Sequence, residues 1–384
     1  MNFTFHTAGE IIFGAGKFDE LGSIARRFGQ RVLLCIRGSH LQEHGILSKS
    51  TGSLADMQIE FSLFSLPEGE PTVQDVELGA AQVRKENPEL IISIGGGSTI
   101  DTGKALAALA SNAGSVEDYL EGAGRNLPIS HLPLPHVAIP TTAGTGAEVT
   151  KNAVITSEEN KVKRSMRSPL LLPNVALLDP NLTLSLPARI TAETGMDALT
   201  QLIESYVSLK AQPIPSALAI DGIRLVGRHL RTAVQDGSNL PAREGMMLAA
   251  LFSGIALANS GLGAAHGIAA ALGGIGNIPH GRACAMLLPL VMRFNLPACT
   301  ERFAQIAEAL TGEHEADQKK AAEKAVTFVE QLCRDIGISR KFTEEGIEER
   351  DIPALVSGSF GSSMRGNPIP LSKEQVEQII RELL

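Results

Sequence analysis

Three residues set far apart in glycine- and alanine-rich sequence could together do chemistry: Asp197, His266 and His280. A carboxylate and two imidazoles are the donor set of a catalytic Zn²⁺ or Fe²⁺ site in which one position stays open for substrate. Gln201 follows Asp197 by four residues, so on a helix the two share a face and can point at one centre. His280 lies in Asn277-Ile278-Pro279-His280-Gly281, where Pro and Gly fix the backbone as in a turn. The other histidines show no comparable clustering in apolar sequence. A metal-dependent enzyme is the chemistry this pattern predicts.

Two further motifs suit a phosphate-bearing cofactor. Gly95-Gly96-Gly97-Ser98, followed by Asp101 and Lys104, closes an apolar run and opens a helical pattern. Glycines at such a turn let the backbone approach a pyrophosphate, whose charge then meets free N–H groups and the helix dipole. The spacing is not the G-x-G-x-x-G fingerprint. Pro140-Thr141-Thr142-Ala143-Gly144-Thr145-Gly146 follows another apolar run and offers the hydroxyls of Thr141, Thr142 and Thr145 to a ribose, phosphate or amide. Two loops at the C-terminal ends of parallel strands make the crevice in which open α/β sheets bind ligands. Metal and cofactor together predict redox chemistry.

The elements that must position these groups are legible in outline. Candidate strands are Arg31 to Ile36, Gln58 to Leu63, Leu90 to Ile94, His136 to Ile139 and Asn174 to Leu178, several of them continuously apolar, as strands covered on both faces are. Helical spacing in Lys17 to Phe28, Val73 to Lys85 and Ile100 to Ser111 makes βαβ units and a parallel sheet. After Asp179-Pro180 the strand-like runs give way to Ala/Leu-rich helical patterns. The expected organisation is therefore an α/β dinucleotide-binding domain over 1–180 and an all-α metal and substrate domain over 181–384, with the active site in the cleft between them. Thr191 is the expected cap of a helix running to Leu209.

Composition narrows the function. The 384 residues carry a formal net charge of −8 and no Lys/Arg block, which argues against nucleic acid or an anionic membrane surface and for a small-molecule substrate. The four cysteines Cys35, Cys284, Cys299 and Cys333 form no CxxC pair, so reduced thiols in a cytoplasmic compartment are expected and a cysteine zinc site is not. The N-terminus has no basic and apolar leader pattern, so no secretory signal is expected. Met246 to Gly274 is nearly uncharged, but its glycines, Asn259, Ser260 and His266 predict buried, closely packed helices rather than a bilayer span.

Taken in order, Phe13-Gly14, Gly95-Gly96-Gly97-Ser98, Thr141-Thr142-Ala143-Gly144-Thr145-Gly146, Gly195-Met196-Asp197-Ala198-Leu199, Pro279-His280-Gly281 and Asn367-Pro368 resemble the motifs of the iron-containing (group III) alcohol dehydrogenase family over essentially the whole chain. The resemblance implies a dehydroquinate synthase-like architecture and an NAD(P)-linked alcohol dehydrogenase or aldehyde reductase. It further implies Fe²⁺ or Zn²⁺, a small alcohol or aldehyde substrate and a homodimer. By position, Asp197, His266 and His280 match three metal ligands of the family, and Gln201 stands where most members have a fourth, histidine ligand. Ala270 replaces a family histidine one turn after His266, which puts the usual proton route in doubt. Arg37, with Ser39, stands where an acidic residue often binds the adenosine ribose, so NADP is favoured over NAD. Lys163 matches a lysine near the nicotinamide ribose. The alternatives are a lyase resembling dehydroquinate synthase and a degenerate relative that only binds a polyol or nucleotide.

Overall fold

The structure is a computed structural model that describes residues 2–122, 124–157, 162–275, 278–338 and 341–384. The chain folds into two compact units: His6–Thr142 with Ala147–Ser185, and Met1–Phe5 with Ala143–Gly146 and Leu186–Leu384.

The first unit contains strands β1 (Glu10–Phe13), β2 (Arg31–Arg37), β3 (Glu60–Leu66), β4 (Leu90–Gly95), β5 (His136–Pro140), β6 (Asn152–Ser157), β7 (Val162–Arg167) and β8 (Val175–Leu178). Six of them form one sheet in the order β1-β8-β5-β4-β2-β3, with every pairing parallel. Every residue of β4, β5 and β8 is buried, which explains their unbroken apolar runs. Edge strand β3 instead alternates between exposed and covered positions. It starts two residues later than the apolar pattern predicts, because Gln58 adopts a positive φ of 55° in the preceding turn. Helices α1 (Leu21–Arg26), α2 (His40–Glu43), α3 (Ile46–Asp56), α4 (Val73–Glu86) and α5 (Gly97–Leu109) connect the strands. The short edge strand β1 and the antiparallel pair β6–β7 have no clear apolar signature and were not expected from sequence.

The second unit is built from α6 (Ala188–Val207), α7 (Pro213–Gln235), α8 (Leu240–Ser260), α9 (Ala264–Ile275), α10 (His280–Thr311), α11 (Gln318–Asp335), α12 (Ile352–Gly358) and α13 (Lys373–Arg381). Helix α6 packs against α7, α8 and α10. Gly195 makes this possible, since a Cβ there would lie 2.3 Å from Leu230. Thr191 does not cap α6. The helix begins at Ala188 after Pro187, and the Thr191 hydroxyl bonds the Pro187 carbonyl and receives the buried Arg243. Helices α8 and α10 are long and apolar enough to cross a bilayer, yet 67% and 61% of their most apolar windows are buried in the fold. Their apolar faces form the core of this unit.

Candidate metal centre and nucleotide-binding loops

Asp197, Gln201 and Glu204 sit at i, i+4 and i+7 on α6 and face the same way, all of them buried. Helix α9 brings His266 to them and α10 brings His280. The His266 Nε2 lies 3.2 Å from the Asp197 carboxylate and the His280 Nε2 lies 3.9 Å from the same oxygen. Gly281 allows this approach: a Cβ there would lie 2.3 Å from the Glu193 carbonyl oxygen and 3.3 Å from the Asp197 side chain. Asn277 of the expected turn before His280 lies outside the described residues.

Glu204 is the residue the sequence reading missed in this shell. Its carboxylate accepts the Gly263 and Ala265 amides at the start of α9, at 2.9 and 2.6 Å, where the helix dipole favours negative charge. The same carboxylate lies 2.7 Å from His266 Nδ1. With Nδ1–H donating to Glu204, the ring presents its Nε2 lone pair toward Asp197, the arrangement that orients metal-bound histidines. Asn367 holds the same turn by accepting the Ala264 amide at 3.1 Å. The i, i+7 spacing from Asp197 was the available signal for Glu204.

Cysteine chemistry, discounted from sequence, returns here. Cys284 lies one turn after His280 on α10, and its Sγ is 3.7 Å from His280 Nε2. Asp197, His266, His280 and Cys284 each present one donor atom, and the four atoms all lie within 4.8 Å of one another. The absence of a CxxC pair did not exclude this cysteine, because an i, i+4 step on a helix pairs it with a histidine instead. Gln201 contributes differently: its amide nitrogen donates to the other Asp197 oxygen at 3.2 Å, and its oxygen accepts from Ser253 at 2.8 Å. Ala270, one turn beyond His266, is exposed and carries no titratable atom.

Charge within the cluster is mutually compensated. Burial would raise Asp197 and Cys284, but the His266 and His280 imidazoles outweigh it and hold both acids below their ordinary values. Burial would likewise lower His266, but Cys284, Glu204 and Asp197 raise it well above its ordinary value. The Cys284 sulfur similarly raises His280. The rings supply the positive charge that the two acids face here, and a divalent cation at the centre would take over that role with both imidazoles neutral. The donor set suits such an ion.

The glycine motif and the first two threonines lie side by side in the α/β unit. Strand β4 ends at Gly95, whose φ of 155° and close approach to Thr99 exclude a side chain, and α5 starts at Gly97. The Thr141 amide donates to the Gly95 carbonyl at 3.0 Å, and a Cβ on Gly96 would lie 3.5 Å from the Thr142 hydroxyl. Gly96 thus lies against Thr142, with Gly97 and Ser98 following it at the start of α5, while Thr145 belongs to the helical unit. Asp101 faces elsewhere. It is buried, accepts the Val154 amide at 2.9 Å and pairs with Lys104, whose ammonium also bonds Thr150 and the Asn152 carbonyl. This pair ties α5 to the β6–β7 hairpin. Lys163 on that hairpin pairs with Glu70 at 3.0 Å.

Arg37 is neither solvated nor free. Only 7% of its side chain is exposed, and its guanidinium is held by the Asp75 carboxylate and the Pro67 carbonyl, each at 2.9 Å. The Ser39 hydroxyl donates to Glu43 at 2.6 Å. The charge on which a 2′-phosphate preference would rest is shared with an internal carboxylate.

Comparison with known proteins agrees across the whole chain. Residues 8–180 match the family described as iron-containing alcohol dehydrogenase, and residues 191–384 match the C-terminal part of the Fe-containing alcohol dehydrogenase family. The chain is 39% identical to 1,3-propanediol dehydrogenase of Klebsiella pneumoniae over 382 residues, covering 96% of each. It is 35% identical to the NAD-dependent methanol dehydrogenase of Bacillus methanolicus over 376 residues, covering 97% of each. A crystal structure of 1,3-propanediol oxidoreductase superposes with a TM-score of 0.95 at 36% identity, covering 100% of both chains.

Proposed function

Because this chain belongs to the iron-containing alcohol dehydrogenase family, we propose that it interconverts a small alcohol and its aldehyde at a divalent metal held by Asp197, His266 and His280. The observation that carries this is the convergence of those three side chains, from three helices, with Glu204 fixing the His266 ring behind them. When bound, the metal polarises the substrate oxygen as a Lewis acid and the nicotinamide carries the hydride. Asp197, anchored by the Gln201 amide, keeps negative charge at the centre. His280, with 37% of its side chain exposed, is the donor on the accessible side of the cluster. With Ala270 one turn beyond His266, that position offers no imidazole to the alcohol proton, which would leave through water or a hydroxyl of the bound cofactor.

The pyrophosphate is assigned to Gly96, Gly97 and Ser98 at the start of α5, and the nicotinamide end to Thr141, Thr142 and Thr145, with Lys163 near its ribose. Asp101 shapes this site from inside, by fixing α5. Arg37 and Ser39 are assigned to the adenosine ribose; since Arg37 is already paired, NADP(H) holds at most a several-fold advantage over NAD(H). The four buried cysteines, none of them in a disulfide, support a reducing, cytoplasmic setting. A homodimer is expected, with sedimentation as its measurement. The decisive experiment is metal analysis of the purified protein beside NAD(P)H formation on a panel of short alcohols. Turnover that tracks Fe²⁺ or Zn²⁺ content supports the reading, and turnover independent of metal removes its centre.

A further inference from the structure

We infer that Cys284 is a fourth ligand of the metal held by Asp197, His266 and His280, doing with a thiolate what the Gln201 side chain is not oriented to do. The inference rests on the metal reading above and adds a donor of different chemistry to it.

The geometry carries it. Metal–nitrogen and metal–oxygen bonds of about 2.0 Å and one metal–sulfur bond of about 2.3 Å place neighbouring tetrahedral donors roughly 3.3–3.5 Å apart. Around this cluster the Asp197–His266, Asp197–His280 and His280–Cys284 separations are 3.2, 3.9 and 3.7 Å. The remaining separations among the four donor atoms are within 4.8 Å. One ion can therefore touch all four with small side-chain adjustments. Helix α10 supplies two of these donors from successive turns, so whatever holds His280 in place also aims Cys284.

Gln201 is the competing fourth donor, and its hydrogen bonds point it elsewhere. An ionised Asp197 is an acceptor only, so the group that faces it is the amide NH₂, which leaves the amide oxygen with Ser253. Gln201 thus steadies the carboxylate from behind. When the ion binds, the Cys284 thiol proton passes to solvent as the sulfur–metal bond forms, with no change of oxidation state. Thiolate is a softer donor than imidazole or carboxylate, so a sulfur ligand biases the site toward Zn²⁺ over Fe²⁺.

The test is spectroscopic and does not depend on turnover. The purified full-length protein is stripped of metal, loaded with Co²⁺ and scanned from the near ultraviolet through the visible, alongside Cys284→Ser and Gln201→Ala. Visible d–d bands report a bound, low-coordinate cobalt, and a near-ultraviolet sulfur-to-cobalt charge-transfer band reports the thiolate. The inference expects both signals in the unmodified protein, loss of the charge-transfer band alone in Cys284→Ser, and its retention in Gln201→Ala. Competition between Zn²⁺ and Fe²⁺ should shift toward Fe²⁺ in Cys284→Ser, because the softest donor of the set is lost. Visible bands without charge transfer in the unmodified protein would overturn the Cys284 assignment and leave the three-ligand site standing. No cobalt binding at all would overturn both.

Discussion

At the scale of single residues, the proposed metal cluster divides into groups that would touch the ion and groups that hold those groups in place. His266→Ala and His280→Ala each remove a donor, so metal content and turnover should fall together, by about a hundredfold or more in affinity. Glu204→Gln keeps the volume but weakens the grip on His266, which should cost roughly 10–100-fold. Gln201→Ala should stay within about tenfold, because the amide supports only the far oxygen of Asp197. Metal titration of the four variants gives the ranking, and a His280→Ala protein that keeps its full metal complement would refute the site. Arg37 offers a second residue-scale prediction. Asp75→Asn retains an oxygen for the Thr72 amide but releases the guanidinium from its counter-charge. The ratio of kcat/KM for NADP(H) over NAD(H) should rise at least several-fold, because the nearly buried guanidinium is then left without its counter-charge. An unchanged ratio would show that Arg37 does not meet the nucleotide.

At the scale of elements, the centre depends on how closely α10 lies on α6. Gly281 is the contact point, where any side chain meets the Glu193 carbonyl. In Gly281→Ala the first turn of α10 must shift by a sizeable fraction of an ångström, and His280 and Cys284 shift with it. The expected result is a metal affinity lower by about tenfold or more, with stability reduced by roughly 1–3 kcal/mol as in other overpacked contacts. Urea unfolding and metal titration measure the two effects separately. Affinity unchanged in the folded variant would mean that the helix ends can part without disturbing the donors. The same logic separates the nucleotide loops from the metal helices: α5 is held by the buried Lys104–Asp101 pair to the β6–β7 hairpin, a brace inside the α/β unit alone.

At the scale of the whole molecule, two buried groups of the α/β unit make opposite contributions to pH stability. Burial pushes His136 down to about 3 from an ordinary 6.5. Burial pushes Glu148 up to about 7 from 4.5. The His136 contribution is present above pH 6.5 and is lost as pH falls toward 3, because the unfolded chain takes up the proton that the folded one refuses. The Glu148 contribution is present below pH 4.5 and is lost as pH rises toward 7, because the unfolded chain releases the proton that the folded one keeps. Between pH 4.5 and 6.5 the two slopes cancel, each being about 1.4 kcal/mol per pH unit. Glu148→Gln should therefore lose stability on acidification across that window relative to the unmodified protein. His136→Asn should lose it on alkalinisation. Urea unfolding at pH 4.5, 5.5 and 6.5 reads both, and parallel curves for all three proteins would refute the assignment.

Much of this is legible in the sequence alone. The parallel sheet follows from apolar runs too continuous for half-exposed strands, as in β4 and β5, and Asp197, His266 and His280 stand out because charged or titratable groups in Gly/Ala-rich sequence must be satisfied by something. Those are local properties of composition and spacing, which a chain carries whatever its fold. Cys284, Glu204 and the Arg37–Asp75 pair are of another kind. Cys284 reads as an ordinary apolar helix residue until α10 meets α6 and α9, and Glu204 reads as a helix carboxylate until the Gly263 and Ala265 amides, about 60 residues later, close on it. Arg37 reads as a free cation at a strand end because the sequence holds no sign that α4 will bring Asp75 within 2.9 Å. Residue type and spacing determined which donors exist; only the packing of α6, α9 and α10 decided which of them share a centre, because that depends on approaches of a few ångströms between segments far apart in the chain.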